Sequence, residues 1–531
     1  MIQLDGHSFT IQMLWDIAQN KTPCTIDPEA YSGIQKSREF VEKLSLEPRA
    51  VYGINSGFGP LANMRVSQDE QEQHQINLLH HLSVGQGDLF SPAETRAIMV
   101  ARANALIRGY SGIRREVIEL LLNSVNHNIL PEIPSEGSVG ASGDLVPLAH
   151  MSRFMIGLGN VRVNGKRIPA KEALAEKKLK PVTLKCKEGL ALVNGTSVMT
   201  ALMGLAAVEA SQLMGWLEYL TACLFQVLFG EPEALCGQLH RARAHRGQFA
   251  AAETITEYLR SHPKYAKEID EHNWGTQHHK PVDSGIDIQD PYSLRCTPQI
   301  IGAVQDAWWH AEYVINRELN SSTDNPLIFA ETETVIHGGN FYGQQISMVS
   351  DYLRIGLIKL ALLSERQLER IMNWRYSLGL PPLLTGGKPG LHSGMAGCQL
   401  LATSLAAEAR ILATPASVQT IPTNANNQDV VSMGTISARM TVKTTEILWK
   451  LIAVQSLALV QAADLRKDDT VMGESFKEFH KQIRSFSPHL KEDRPLFEEI
   501  KETISFLKSE DAQKTFLKDR PESPYSVQKN K

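Results

Sequence analysis

The tripeptide Ala141-Ser142-Gly143, within GSVGASGDLVPLAH at residues 137–150, consists of residues that could react with one another. The backbone nitrogen of Gly143 can attack the carbonyl carbon of Ala141, because glycine has no side chain to block the tight conformation required. Loss of water from this ring, and then of the Ser142 hydroxyl, would leave a methylidene group conjugated to an imidazolone. That group is a strong carbon electrophile. Since three such common residues also occur together by chance, their surroundings must decide between this chemistry and a plain linker.

Several other short stretches are rich in Gly, Asn and polar residues within an otherwise apolar chain. They are residues 51–63, 140–144, 192–197, 290–299, 321–327, 337–345 and 422–434. Each adjoins a long helical segment, which predicts a site assembled from helix ends, where free N–H groups and the helix dipole support an electrophile. We expect Ser142 or Asp144 to cap the helix that follows, with Pro147 in its first turn, and Thr196 or Ser197 to cap the next. For one stretch alone, ordinary capping is the simpler interpretation.

Composition excludes several classes of protein. The 531 residues include 54 basic and 58 acidic ones, a formal charge of −4, and 43% are hydrophobic, as in folded soluble proteins. There is no basic stripe with interleaved aromatic residues, so we expect no nucleic-acid partner. The six cysteines form no CxxC pair or Cys/His cluster, which predicts reduced thiols and no metal site. The N-terminus lacks a basic segment followed by an apolar one, which favours a cytoplasmic protein.

The elements that must position the tripeptide are mainly helices. Apolar residues recur every three or four positions in residues 344–372, and residues 393–413 and 437–467 are similar. Strand signals are few, the clearest being a hairpin turn at Asn164-Gly165. We therefore predict an all-α fold: a loop-rich N-terminal region, residues 1–195, that carries the tripeptide, followed by a long-helix bundle and C-terminal helical region, residues 196–531.

Residues 197–229 are apolar enough to suggest a membrane span. Glu209, Gln212 and Glu218 interrupt this segment, however, and a span needs about 20 mostly apolar residues. We expect a buried helix of a soluble protein and no membrane partner.

The tripeptide and its neighbours resemble the aromatic amino acid ammonia-lyase and aminomutase family, whose members form a methylidene-imidazolone (MIO) from Ala-Ser-Gly in a similar segment. The resemblance continues through YGINSGFG, ALVNGTS, YSLRC, TDNP, GGNF and NQDVVSMG in the family's order, over nearly the whole chain. It implies the ammonia-lyase/fumarase-like superhelical fold and a homotetramer with shared active sites. It also implies an MIO formed autocatalytically from Ala141, Ser142 and Gly143, no metal or dissociable cofactor, and elimination of ammonia from a small aromatic amino acid.

Tyr52 matches the family's catalytic base, which takes a proton from the β-carbon of the substrate. A phenol is a poor base at neutral pH unless positive helix ends or nearby cations lower its pKa. Gly53, Gly57 and Gly59 would let the Tyr52 loop fold over the substrate as a lid.

The other matches are expected around the electrophile and the substrate. Asn194 matches the contact to the imidazolone oxygen, and Tyr292 a hydroxyl near the electrophile. Arg295, whose planar guanidinium suits a carboxylate, and Asn325 match the carboxylate contacts. Phe341 matches an aromatic ring packed on the imidazolone. Gln428 matches a residue close to the substrate amine.

Members of the family differ at a pair of residues facing the substrate ring: bacterial tyrosine lyases carry His-Leu, histidine lyases Ser-His and many phenylalanine lyases Phe-Leu. His81-Leu82 therefore favours L-tyrosine, converted to trans-4-coumarate, since phenylalanine in place of His81 would leave the phenol unpaired at a cost of about 1–3 kcal/mol. Histidine lyases also carry Glu within NQEDH, where this chain has Asp429-Val430 after Gln428. His80 is expected to point elsewhere.

Alternatives remain open at this stage. If His81 only bonds a backbone carbonyl, phenylalanine becomes the substrate. A tyrosine 2,3-aminomutase would use the same electrophile and base but return ammonia to the β-carbon, giving β-tyrosine, and His392 and Met395 depart from the usual lyase pattern. A non-catalytic descendant would be expected to lose the tripeptide, Tyr52 or Arg295. A helical scaffold would not require polar stretches at helix ends.

Overall fold

The computed structural model describes residues 1–270, 289–468 and 470–525, most of them in helices. The helices are α1 Ile11–Ala18, α2 Tyr31–Ser45, α3 Gln71–Leu82, α4 Pro92–Ile107, α5 Arg115–Asn126, α6 Leu145–Arg153, α7 Ala170–Glu176, α8 Glu188–Val193, α9 Ser197–Leu228, α10 Gly237–Arg241, α11 Arg246–Leu259, α12 Pro263–Asp270, α13 Tyr292–Arg295, α14 Thr297–Leu319, α15 Gln344–Met372, α16 Ala396–Ile411, α17 Gly434–Arg466, α18 Glu474–Arg484, α19 Phe497–Lys508 and α20 Glu510–Phe516. The strands are β1 Ile2–Leu4, β2 Cys24–Ile26, β3 Gln86–Leu89, β4 Ile129–Pro131, β5 Pro134–Glu136, β6 Asn160–Val163, β7 Lys166–Pro169, β8 Leu327–Phe329 and β9 Thr334–Ile336.

The prediction of an all-α fold with a bundle of long helices is confirmed. The segments with helical periodicity form α9, α15, α16 and α17, close to the expected bounds. The hairpin prediction is also confirmed, because β6 and β7 pair antiparallel with Val163 opposite Lys166. Asn164 and Gly165 between them have φ values of 51° and 81°, which the favoured two-residue turn requires.

Helices α9 and α17 are long and apolar enough to cross a membrane by composition alone. Their most apolar windows are nevertheless 83% and 89% buried inside the protein. Such burial is typical of core helices, as expected for residues 197–229.

The chain divides into two compact units. The first comprises Met1–Val208, Ala311–Asp351 and Pro415–Val442, and the second comprises Glu209–His310, Tyr352–Thr414 and Lys443–Lys531. The functional division after residue 195 stays a prediction.

In the first unit, α3, α6 and α8 pack against one another. Strand β3, which follows α3, pairs antiparallel with β5, which precedes α6, and Gln86 lies opposite Glu136. Because α6 begins just after the tripeptide and α8 ends just before Asn194, this packing brings the end of α3, the tripeptide and Asn194 into one region.

The second unit has an aromatic core. Trp216 and Tyr219 of α9 pack with Phe479 of α18 and Phe516 of α20, at ring-centroid distances of 5.3–6.2 Å. The Trp216 indole donates a hydrogen bond to the Leu507 carbonyl (3.0 Å), which satisfies its buried polar atom.

Candidate active site

A cavity of about 1240 Å³ opens within the first unit and contains most of the residues that the sequence singled out. The predicted site residues that line it are Tyr52, Gly59, His81, Leu82, Ala141, Ser142, Gly143, Asn194, Asn325, Phe341 and Gln428. They come from segments far apart in sequence and are brought together by the fold. This volume suits an amino-acid-sized ligand with room for water.

The backbone of the tripeptide is tightly packed. Gly143 has a φ of 68°, and short backbone pairings join it to both Ala141 and Gly195. A Cβ atom added to Gly143 would lie 2.1 Å from the Gly195 carbonyl oxygen, so no other residue fits without a shift of the backbone. The absence of a side chain at Gly143 is therefore required by packing as well as by the ring-closure chemistry.

Two amide side chains hold Ser142. The Asn194 side chain donates to the Ser142 carbonyl oxygen (2.8 Å), and the Gln428 side chain donates to the Ser142 hydroxyl oxygen (2.9 Å). The Ser142 carbonyl oxygen is the one that would become the oxygen of an imidazolone. The residues present thus fit an imidazolone. Gly143 has no side chain and its backbone lies beside that of Ala141, and Asn194 donates to the oxygen that the ring would carry.

The prediction that Ser142 or Asp144 caps α6 was wrong. Neither the side chain of Asp144 nor that of Ser142 caps α6, although Pro147 does lie in the first turn of that helix. The buried Asp144 carboxylate instead accepts hydrogen bonds from the amides of Val198 and Met199 (both 2.9 Å), at the start of α9. Burial raises the pKa of Asp144, and hydrogen bonds from Thr435, Met199, Ser138 and Val198 oppose that shift.

Thr196 or Ser197 was expected to cap α9, and the Thr196 hydroxyl instead donates to the Glu318 carboxylate (2.6 Å). The side chain of Asp144, the residue after the tripeptide, therefore caps α9. The start of α9 and the electrophile segment are joined by this one carboxylate.

The loop that carries Tyr52 is folded back on itself. The Gly57 amide donates to the Met64 carbonyl (2.8 Å), and a Cβ atom at Gly57 would lie 2.4 Å from the Leu61 carbonyl oxygen. The Gly59 amide donates to the Tyr52 hydroxyl oxygen (3.2 Å), which orients the phenol. Gly57 thus permits a close approach of the chain, and Gly59 holds the expected base.

His81 lies near the C-terminal end of α3. Its Nδ1 lies 3.0 Å from the Asn77 carbonyl oxygen, an acceptor, so Nδ1 must carry the hydrogen. In the neutral ring Nε2 is then an acceptor, which suits a phenolic O–H. His80 is exposed and does not line the cavity, in agreement with the expectation that it points elsewhere.

A buried ion pair ties α8 to the segment of Asn325. The Lys187 ammonium lies 2.8 Å from the Asp324 carboxylate, and both side chains are almost fully buried. Lys187 precedes α8, which leads to Asn194, and Asp324 precedes Asn325. The Asn325 side-chain oxygen accepts from the Gly338 amide (2.8 Å).

Tyr292 and Arg295 form α13 in the second unit and are not among the residues that line the cavity. Tyr292 is 68% exposed, and the Arg295 guanidinium carbon lies 4.7 Å from the centroid of its ring. The Arg295 Nε donates to the Asp290 carbonyl (2.8 Å). Their expected contacts with the substrate stay a prediction.

Several lining residues were missed from the sequence: Phe58, His74, Asn77, His337 and Asn424. Phe58, His337 and Asn424 lie in the polar stretches 51–63, 337–345 and 422–434, and His74 precedes His81 by seven residues and so lies on the same face of α3. Burial lowers the pKa of His74, and the charge of His81 lowers it further. The edge of the His337 ring faces Tyr52, with centroids 6.1 Å apart.

Comparisons with known proteins agree with this fold. The family model for aromatic amino acid lyases matches residues 9–485. A histidine ammonia-lyase from Geobacillus thermodenitrificans is 39% identical over 96% of this chain and 98% of its own length, and an MIO-dependent tyrosine 2,3-aminomutase from Streptomyces globisporus is 38% identical over 94% and 93%. The crystal structure of the tyrosine aminomutase from Streptomyces globisporus has a TM-score of 0.89 at 36% identity, covering 97% of this chain and 98% of that one.

A helical fold with an Ala-Ser-Gly tripeptide lining its cavity is typical of a class of carbon-nitrogen lyases and aminomutases. The chain belongs to the aromatic amino acid lyase family.

Proposed function

We propose that this protein eliminates ammonia from L-tyrosine to give trans-4-coumarate. The observation that carries the proposal is that Ser142 and His81, distant in sequence, line the same cavity, so that the electrophile precursor and a phenol-binding imidazole meet around one ligand. Membership of the family supports the reaction class, and His81 supports the substrate.

The cofactor in this proposal is the MIO formed from Ala141, Ser142 and Gly143. When formed, this group supplies an electron-poor carbon that turns the amino group into a better leaving group. Asn194, whose side-chain amide donates to the Ser142 carbonyl oxygen (2.8 Å), would hold the oxygen of the ring. Gln428, bonded to the Ser142 hydroxyl (2.9 Å), lies where the substrate amine would arrive.

Tyr52 takes the proton from the β-carbon. Its hydroxyl oxygen accepts the Gly59 amide hydrogen bond, so the phenol is oriented before the substrate binds. Asn325 and Phe341 line the same cavity, where they contact the carboxylate and pack beside the electrophile.

Tyr292 and Arg295 complete the site in our proposal by coming from another subunit of a homotetramer. Arg295 then binds the substrate carboxylate through two N–H donors. Support comes from the exposure of Tyr292 and from the position of both residues in the second unit, outside the cavity lining.

Selection of tyrosine rests on His81-Leu82. The Nδ1–H of His81 is used by the Asn77 carbonyl, which leaves Nε2 to accept the substrate hydroxyl. A histidine substrate is disfavoured by this pair and by Asp429-Val430, although histidine ammonia-lyases are among the relatives of this chain.

The second candidate is a tyrosine 2,3-aminomutase, which returns ammonia to the β-carbon and releases β-tyrosine. It is favoured by the 38% identity to the Streptomyces globisporus enzyme over 94% of the chain. Both candidates share the electrophile and the base.

The test is to incubate the purified protein with L-tyrosine, L-phenylalanine and L-histidine, following propenoic acids by absorbance and β-amino acids by chromatography. We expect coumarate from tyrosine as the main product. β-Tyrosine as the main product would establish the aminomutase instead, and urocanate from histidine would overturn the substrate assignment.

Formation of the electrophile is tested separately with Ser142→Ala, and with Ser505→Ala, an exposed serine of α19, as the matched control. Mass spectrometry of the peptide containing residues 137–153 should show the loss of two waters in the wild type and in Ser505→Ala, but not in Ser142→Ala. Ser142→Ala should lose at least about a thousandfold in kcat, given the share of the barrier such a group removes. Full activity of this variant would show that the electrophile lies elsewhere.

A further inference from the structure

The rings of Phe58 and His74 are stacked at the wall of the cavity. Their centroids lie 4.2 Å apart and their planes differ by 6°. Phe58 belongs to the loop that carries Tyr52, and His74 belongs to α3, which also carries His81. The stack is therefore a direct side-chain contact between the loop of the expected base and the helix of the expected substrate selector.

A short chain of contacts leads from this stack to the base. Phe58 immediately precedes Gly59, whose amide donates to the Tyr52 hydroxyl oxygen (3.2 Å). The Gly59 nitrogen belongs to the peptide unit that joins it to Phe58, and the Asn424 side chain lies close to Gly59, since a Cβ atom there would lie 2.8 Å from the Asn424 side-chain nitrogen. A displacement of the Phe58 ring is thus transmitted to the amide that orients Tyr52.

We propose that His74 is a positioning residue for Tyr52: by stacking on Phe58 it fixes the Gly59 amide and, through it, the phenolic oxygen. This inference rests on the proposed role of Tyr52 as the base. His74 itself need not touch the substrate, since an aromatic ring of suitable shape and flatness is sufficient for the stack.

The contact also has a consequence for the order of the loop. The loop from residue 51 to residue 66 is closed by its own hydrogen bonds, Gly57 to Met64 (2.8 Å) and Val66 to Asn55 (3.0 Å). The Phe58–His74 stack adds a side-chain contact between this loop and α3. Without it, the closed loop should keep its internal bonds but open more often as a unit.

The test compares His74→Ala, His74→Phe and, as a control, His80→Ala, which changes an exposed neighbour outside the cavity. We expect His74→Ala to lower kcat about tenfold with little change in KM, because a misplaced base affects proton transfer more than binding. His74→Phe keeps a flat ring on Phe58 and should retain most of the wild-type kcat, and His80→Ala should match the wild type.

Two measurements separate positioning from a loss of folded protein. With L-tyrosine deuterated at the β-carbon, His74→Ala should show a larger isotope effect on kcat than the wild type, a ratio that does not depend on the fraction of active enzyme. Hydrogen–deuterium exchange of residues 51–66 should increase in His74→Ala and stay near the wild-type level in His74→Phe.

Unchanged kcat and exchange in His74→Ala would overturn the inference, and so would a defect in His74→Phe as large as that in His74→Ala. The exchange experiment needs no turnover. If the wild type has no activity on any of the three amino acids, the proposed function fails, and the exchange data still decide whether His74 orders the loop.

Discussion

The imidazole of His81 offers one acceptor to a ligand in the cavity, because its Nδ1–H is already used by the Asn77 carbonyl. Replacing this ring by phenylalanine removes the acceptor and leaves the phenolic hydroxyl of a bound tyrosine unpaired, at a cost of about 1–3 kcal/mol. We expect His81→Phe to lower kcat/KM for tyrosine about ten- to a hundredfold and to raise it for phenylalanine.

Steady-state kinetics with both amino acids measure this change in preference. His80→Phe, which makes the same substitution at an exposed position outside the cavity, should leave the preference as in the wild type. A His81→Phe variant that still prefers tyrosine would remove His81 as the selector.

For individual residues, the structure shows why some site predictions could be made from the sequence and others could not. Ser142, Asn194 and Gln428 were singled out by motif, and their side chains meet at Ser142. Phe58 lies within the YGINSGFG motif and His74 shares a face of α3 with His81, but neither pattern predicts their stacking contact, which joins a loop to a helix.

Among the helices, α9 is capped by the side chain of a residue that lies outside the helix. Asp144 accepts the Val198 and Met199 amides, and Asp144→Ala would leave both buried amides without their acceptor. We expect a loss of stability of about 2–4 kcal/mol, combining the cap and the unsatisfied donors. This loss should appear as a thermal midpoint of unfolding several degrees lower than that of the wild type.

Differential scanning calorimetry provides the measurement, and Asp88→Ala, at an exposed strand position, is the control. Asp144→Asn keeps one acceptor oxygen and should lose less than Asp144→Ala. A thermal midpoint equal to that of the wild type in Asp144→Ala would show that the cap contributes nothing.

The prediction that Ser142 or Asp144 caps α6 was wrong because a tertiary contact competes with the local one. A carboxylate one residue before a helix is a good local cap, and the sequence offers Asp144 to α6 in that position. The fold places the amides of α9 within reach of the same carboxylate, and the tertiary contact replaces the local one.

For the whole molecule, three buried or half-buried histidines link stability to pH. His150, His240 and His262 each accept a hydrogen bond on a ring nitrogen, from the Gly85 amide (3.0 Å), the Gln248 side chain (2.9 Å) and the Lys264 amide (3.2 Å). Burial lowers the pKa of all three. A protonated imidazole cannot accept these bonds.

Between the lowered folded-state pKa values and the ordinary value near about 6.5, the unfolded chain binds more protons than the folded one. Stability should therefore fall as the pH is lowered through this window. We expect a lower thermal midpoint at about pH 5.5 than at about pH 7.5. His150→Gln should lose less on acidification than the wild type, whereas His127→Gln, at an exposed position, should lose as much. A midpoint that rises on acidification would contradict this account.

By itself the sequence determined the long helices, the hairpin at Asn164-Gly165 and the position of the Ala-Ser-Gly tripeptide, because periodicity, turn residues and a glycine at position 143 are local properties of the chain. The tertiary structure alone decided which distant residues share the cavity, which helix Asp144 caps and which ring packs on Phe58. Those outcomes depend on tertiary packing, including that of α3, α6 and α8, which brings residues separated by tens or hundreds of positions within hydrogen-bond distance.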